Sequence, residues 1–269
     1  MKRTGMLSIV FMLMCIVTNA QKEFKKSLSG ISRIEIETGT SIFLKKGASN
    51  EIIIKEGCSN CGNEEEMDQE EFYEPEEDEK AKGLTAIYAG GEDNTGVGIY
   101  MEKDGEILRI NDLKSFYKRK GLTIIVPNAV AIKMNCGNLG SANIQNITNE
   151  LEINTTVGYI KLNNVTGPVT AHSSTGNIDA VFTSVNQTAP ISISSSTGMI
   201  DVSLPSNTKA SVELKSTMGS VYSNFNLIEP REDGLKAIGG HKSITGNINN
   251  GGVKIALKAS IGNIYLRKK

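Results

Sequence analysis

Tryptophan is absent from this 269-residue chain, and aromatic residues make up only 5% of it. There are two histidines, His172 and His241, so three or four ligands at zinc-site spacing are not visible. No Gly-x-Ser-x-Gly stands among the many serines, which removes the nucleophile-elbow hydrolases. Asp-x-Asp-x-Asp-Gly spacing is also missing, and with it the EF-hand calcium loop. Glycine-rich turns such as Gly137-Asn138-Leu139-Gly140 do not lead from a strand into a helix, so a phosphate-binding loop is unsupported. Long amphipathic helical patterns are hard to find. Glycine is plentiful at 27, and that balance suits short β-strands linked by tight turns.

Long apolar runs are scarce too. The longest, Met6 to Val17, is too short for a spanning helix. With Lys2 and Arg3 before it and Thr18-Asn19-Ala20 after it, residues 1–20 read as a secretory signal cleaved before Gln21. The other reading is an uncleaved anchor. Cys15 has a lipoprotein-like position, but Met14 before it is too large for the usual lipobox. No membrane span is expected in the mature chain, 21–269, which is long enough for one sizeable domain.

Charge is uneven beneath a net of −1. Eleven acidic residues fall within Glu64 to Glu79, and without that block and the signal the body carries about +8. Residues 57–83 therefore read as a solvated acidic loop inserted in the domain. Its sharper reading is a metal or basic-partner site, with Glu64, Glu65, Asp68, Glu76 and Asp78 as weak candidate ligands for a hard cation. Cys58 and Cys61 flank Ser59-Asn60. Without a helix signal beside them a small structural disulfide is favoured over free thiols or a redox or metal pair. Cys136 reads as a small buried residue. The basic run Lys118-Arg119-Lys120 reads as a solvated turn, and no nucleic-acid partner is expected.

What is present is a repeat. Gly140, Gly158, Gly176, Gly198, Gly219 and Gly262 each stand between a polar or β-branched run and alternating apolar residues. Successive gaps are 18, 18, 22, 21 and 43 residues, the last about two periods. A period near 20 signals a solenoid. After the glycines, Ile160 and Leu162, Ile178 and Ala180, and Ile200 and Val202 fall on one strand face. One coil cannot bury that face alone, but coils stacked at roughly 4.8 Å can. Pro127 and Pro205 end equivalent strands 13 and 14 residues before their glycines. Strands at 31–37, 42–44 and 51–55 would start the stack, with others at 84–88, 98–101 and 106–110. Ser243 to Ile248 reads as a degenerate repeat, and Arg267-Lys268-Lys269 as charge guarding the last edge.

Leu122 to Phe182 resembles the bacterial family of exported "putative adhesin" domains, head GIN domain-like. The residues that carry it are Ile125-Val126-Pro127, Gly140-Ser141-Ala142-Asn143-Ile144, Gly158-Tyr159-Ile160 and Val165-Thr166-Gly167-Pro168, leading to Ser174-Thr175-Gly176-Asn177-Ile178. The turns at Gly198-Met199-Ile200 and Gly262-Asn263-Ile264 fit, as does Ile31 to Ile36. The resemblance implies an all-β, right-handed β-solenoid on exported or envelope proteins, and supplies no catalytic residues.

The expectation is thus a single-domain β-solenoid acting as a non-catalytic exported adhesin-like binding or structural module, in the periplasm or at the cell surface. No cofactor is expected, and the partner would be a glycan or another envelope protein. The alternative is a β-helix carbohydrate-active enzyme, a glycan lyase or hydrolase. Its best pair is Asp179 and Asp201, one coil apart on an outward face. His172 reads as a surface or stacking residue.

Overall fold

The computed structural model describes residues 22–58, 61, 80, 82–84, 87–88, 90–114, 121–127, 129–227 and 243–269. The signal segment, most of the acidic loop with its five candidate ligands, the 118–120 basic run and His241 lie outside these residues. Among the described residues there is no α-helix, and all regular structure is strand.

In chain order the strands are β1 (Glu23–Ser27), β2 (Arg33–Glu37), β3 (Ile42–Lys46), β4 (Glu51–Glu56), β5 (Ile99–Asp104) and β6 (Ile107–Asp112). Next come β7 (Leu122–Val126), β8 (Ala131–Asn135), β9 (Ala142–Gln145), β10 (Leu151–Val157), β11 (Ile160–Val165), β12 (Val169–Thr175) and β13 (Ile178–Phe182). The last are β14 (Ile191–Thr197), β15 (Ile200–Leu204), β16 (Ala210–Met218), β17 (Val221–Ser223), β18 (Ile244–Ile248), β19 (Val253–Ile261) and β20 (Ile264–Lys268). They form two 10-stranded sheets. Sheet A runs β1-β4-β7-β3-β9-β11-β13-β15-β20-β17, and sheet B runs β18-β16-β19-β14-β12-β10-β8-β2-β6-β5. The fold is the all-β solenoid the repeat predicts: each coil gives one strand to each sheet, and neighbouring coils pair in parallel.

Between the sheets lies a dry aliphatic column. Ile160, Ile178, Ile200 and Ile264 are fully buried and in register along sheet A. Ile153, Ala171, Ile193, Leu257 and Leu214 do the same along sheet B. Each such Ile or Leu removes roughly 1.5–3 kcal/mol worth of apolar surface from water.

The stack does not follow sequence order. The C-terminal coil, β19 with β20, sits between β14/β15 and β16/β17. At the other end β2 with β3 sits between β6/β7 and β8/β9, so the strands at 31–37 and 42–46 form the second coil rather than the first. The physical reason is the edge. A terminal strand leaves a row of backbone groups unpaired, so short or capped strands belong there. β17, three residues long, takes the end of sheet A, while the nine residues of β19 pair on both sides. Arg267 and Lys268 therefore lie on an interior strand and guard no edge.

Antiparallel strands close both ends. β4 lies on β7 and β1 on β4, β5 lies on β6, and β18 lies on β16. Ser243 to Ile248 is therefore a cap and not a repeat. Among the described residues of the expected strand at 84–88 there is only an isolated bridge, Tyr88 to Gly91, and Leu84 and Ile87 are exposed.

The glycines mark one corner. A Cβ on Gly158 would strike the carbonyl oxygen of Gly140 well inside 3.0 Å, and one on Gly176 would strike that of Gly158. The column continues through Gly198 and Gly262 to Gly219, each against its predecessor's carbonyl. Inward hydroxyls lock it: Thr155 donates to the Gly140 carbonyl at 2.6 Å, Ser173 to Gly158 at 3.0 Å, Ser195 to Gly176 at 3.0 Å and Ser216 to Gly262 at 2.8 Å. On the outside, Asn177 accepts from the Met199 amide and Asn263 from the Ser220 amide.

Candidate functional site

Strand alternation leaves two outward faces as the surfaces on which this fold can act. The Ser and Thr residues next to the glycines contribute less than their number suggests. Thr155, Ser173 and Ser195 are buried and spent on the corner carbonyls.

Sheet A brings together one pair that the sequence singles out. Asp179 and Asp201 are direct partners on neighbouring strands, followed along the same line by Tyr265 and Tyr222. Arg267 grips both oxygens of Asp201, donating from Nε at 2.8 and 2.9 Å and from Nη2 at 2.7 Å. The two tyrosine rings stack at 5.2 Å. Burial first, and the Asp201 charge second, push the Asp179 carboxyl above its usual range, while Lys161 pulls it back. Asp201 is thus already satisfied by a guanidinium on an open sheet.

Cys58 and Cys61 are joined by a disulfide, and Cys136 is a free thiol in the core, pushed up to about 12 chiefly by burial. The bridge is pinned to sheet A: the Tyr159 hydroxyl donates to the Cys61 carbonyl at 2.5 Å, and Thr123 Oγ1 to the Gly57 carbonyl at 2.9 Å. Among the described residues no three His, Cys, Asp or Glu side chains come together as metal ligands.

Sheet B carries a feature that sequence reasoning missed. One outward line runs straight along the stack through Asn111, Glu37, Asn135, Asn154, His172, Ser194, Lys258 and Lys215, each in register with the next. Seven gaps at about 4.8 Å make it roughly 34 Å long. His172 Nδ1 and Ser194 Oγ lie 2.9 Å apart, and the Asn135 amide donates to Glu37 at 2.9 Å. The parallel line beside it is largely neutralised: Arg109 pairs with Glu35 and Lys133 with Glu152 along it, and its Glu213 pairs with Lys254 and Lys258 on either side. His172 was visible in the sequence, but nothing there tied it to Lys258 or Glu37.

A shallow depression lies between the β13–β14 and β15–β16 connections, lined by Ser184, Val185, Gln187, Pro205, Thr208 and Lys209 among others. It holds a single titratable side chain.

A family model described as Toastrack DUF4097 matches residues 78–267. No curated protein matches the sequence. Two solved structures are similar to this chain. One is a "putative cell adhesion protein" from Clostridium sporogenes, 15% identical, covering 93% of this chain and 100% of that one with a TM-score of 0.45. The other is a "putative adhesin" from Bacteroides fragilis, also 15% identical, covering 93% and 98% with a TM-score of 0.42.

Proposed function

The chain belongs to the Toastrack DUF4097 family, and from that premise we propose that it works as a non-catalytic, adhesin-like binding module of the bacterial cell envelope. Export is carried by the leader pattern of residues 1–20, and places the module in the periplasm or at the cell surface. The observation that supports binding is the 34 Å polar line on sheet B, set at about 4.8 Å intervals on a rigid stack. Extended ligands such as glycans fit that geometry, because they offer hydrogen-bonding groups along their length.

The alternative is a carbohydrate-active enzyme using Asp179 and Asp201. The raised Asp179 carboxyl favours it, since a general acid must hold its proton. Against it, the Arg267 fork keeps Asp201 engaged on a flat face.

Two measurements test the proposal together. Fractionation of cells expressing the whole chain should find it outside the cytoplasm, and a glycan array probed with residues 21–269 should show saturable binding without release of reducing ends. A cytoplasmic chain, or reducing-end release abolished by Asp179→Asn, would overturn it.

A further inference from the structure

The line on sheet B is graded in charge. At one end Lys215 and Lys258 are adjacent in register, so two basic side chains leave the sheet from neighbouring positions. Lys258 shares Glu213 with Lys254, at 3.4 and 2.9 Å, which leaves one carboxylate for two lysines. Lys215 makes no ion pair among the described residues. Residues 191–269, which include this end of the stack, contain ten basic and five acidic residues. Adjacent like charges on a sheet oppose folding modestly. Nothing in the packing requires them here, since both side chains point away from the core.

The next three positions are polar: Ser194, His172 and Asn154. The Asn154 side chain makes no hydrogen bond among the described residues, so its amide donor and acceptor are open to a ligand. Beyond Asn135 the line turns acidic at Glu37.

From this gradient we propose that the line binds an extended glycan that ends in a carboxylated sugar. The carboxylate sits against Lys215 and Lys258, and neutral sugars lie along Ser194, His172 and Asn154. This inference rests on the reading of the chain as a binding module and names its ligand class. A nucleic acid fits worse. It carries a charge at every step, would meet Glu37, and finds no Phe, Tyr or Trp on the line, only the His172 imidazole, to stack its bases. A peptide adding as a strand fits worse too, because these strands are already paired on both sides or, at β16, capped by β18.

Calorimetric titration of residues 21–269 tests it with two probes, sialyl-lacto-N-tetraose and its neutral parent lacto-N-tetraose. The acidic probe should bind more tightly, and its advantage should shrink as salt is raised. K215Q with K258Q should weaken the acidic probe about tenfold, as expected for losing charge-assisted hydrogen bonds, and leave the neutral one unchanged. Asn154→Leu should weaken both probes. These side chains point into solvent, so melting temperatures should stay close to wild type. Equal binding of the two probes, unchanged affinity in the double lysine variant, or equally tight binding of duplex DNA would each overturn the inference. Saturable binding of some other envelope glycan at a different face would sink this inference and leave the binding-module reading standing. No binding to any arrayed glycan would remove both.

Discussion

Gly262 stacks on Gly198, although 64 positions separate them in the sequence and Gly219 lies between. A Cβ on Gly262 would fall on the Gly198 carbonyl, and one on Gly219 would fall on the Gly262 carbonyl. The chain thus lays its last coil beneath an earlier one, and the corner column is continuous only in that order.

The first prediction concerns this column. Gly176→Ala should destabilise the domain by about 3 kcal/mol, because the added methyl meets backbone oxygen and carbon that cannot move aside. Its φ of 151° adds strain. Gly39→Ala is the control, since a Cβ there meets nothing within 4 Å, and should change stability by less than about 0.5 kcal/mol. Urea midpoints at constant m-value separate the two.

One rung of the hydroxyl ladder is missing. At the position where Ser173, Ser195 and Ser216 donate to a glycine carbonyl, the inserted coil has Ala259, buried and facing Gly198. Ala259→Ser should restore the bond and raise stability by about 0.5–1.5 kcal/mol. Ser195→Ala should lower it by a similar amount. Thermal melting of the pair, read as shifts of opposite sign, checks this.

Much of this architecture is legible in the sequence. The glycine spacing gives the coil length, and the alternation at Ile160, Ile178 and Ile200 gives the buried face. Stacking order is not legible, because inward aliphatics at 255–257 match those at 212–214 equally well as neighbours for Ile191 and Ile193. Pairing among similar rungs is decided by which strand can best sit at an edge. The same ambiguity hides the polar line on sheet B. Its members come from positions 111, 37, 135, 154, 172, 194, 258 and 215 in spatial order, which no local pattern reveals. Asp179 and Asp201 are legible as neighbours because their coils are consecutive, but the Arg267 that ties up Asp201 arrives with the inserted coil.

Acid should loosen one turn before it unfolds the stack. Asp93 accepts from the amides of Thr95, Gly96 and Gly98 and from the Thr95 hydroxyl, at 2.8–2.9 Å. Burial opposes its charge, yet these donors win and hold the carboxyl at about 2, below the ordinary 3.8. A depressed pKa contributes stability that is full above pH 3.8 and fades as pH falls toward 2. The site is exposed, so the contribution is about 1 kcal/mol or less. Protection of the Gly96 and Gly98 amides, taken against their intrinsic exchange rate at each pH, should fall across that window, and Asp93→Ala should show the low protection already at neutral pH.

Asp179 behaves in the opposite sense. Its carboxyl is raised by burial and by Asp201, so the charged form is disfavoured in the fold at neutral pH and the penalty is relieved as pH falls through its raised pKa. Asp179→Asn should therefore stabilise the neutral-pH protein by a few tenths of a kcal/mol, discounted for its partial exposure. It should also steepen the acid limb of the stability profile, because wild type recovers its neutral-pH penalty as pH falls and the variant has none to recover, which denaturant titrations from pH 3 to 7 will show.

The inserted coil is tested most directly by cross-linking exposed corner residues. Thr197 and Ile261 are register partners, as are Ile261 and Met218. Adjacent rungs at about 4.8 Å lie within disulfide reach, whereas Thr197 and Met218, two rungs apart at roughly 10 Å, do not. Under mild oxidation the account predicts that cysteines at 197 and 261, and at 261 and 218, bridge readily, and that cysteines at 197 and 218 stay reduced. Ready bridging of 197 with 218, alongside failure of 197 with 261, would contradict it.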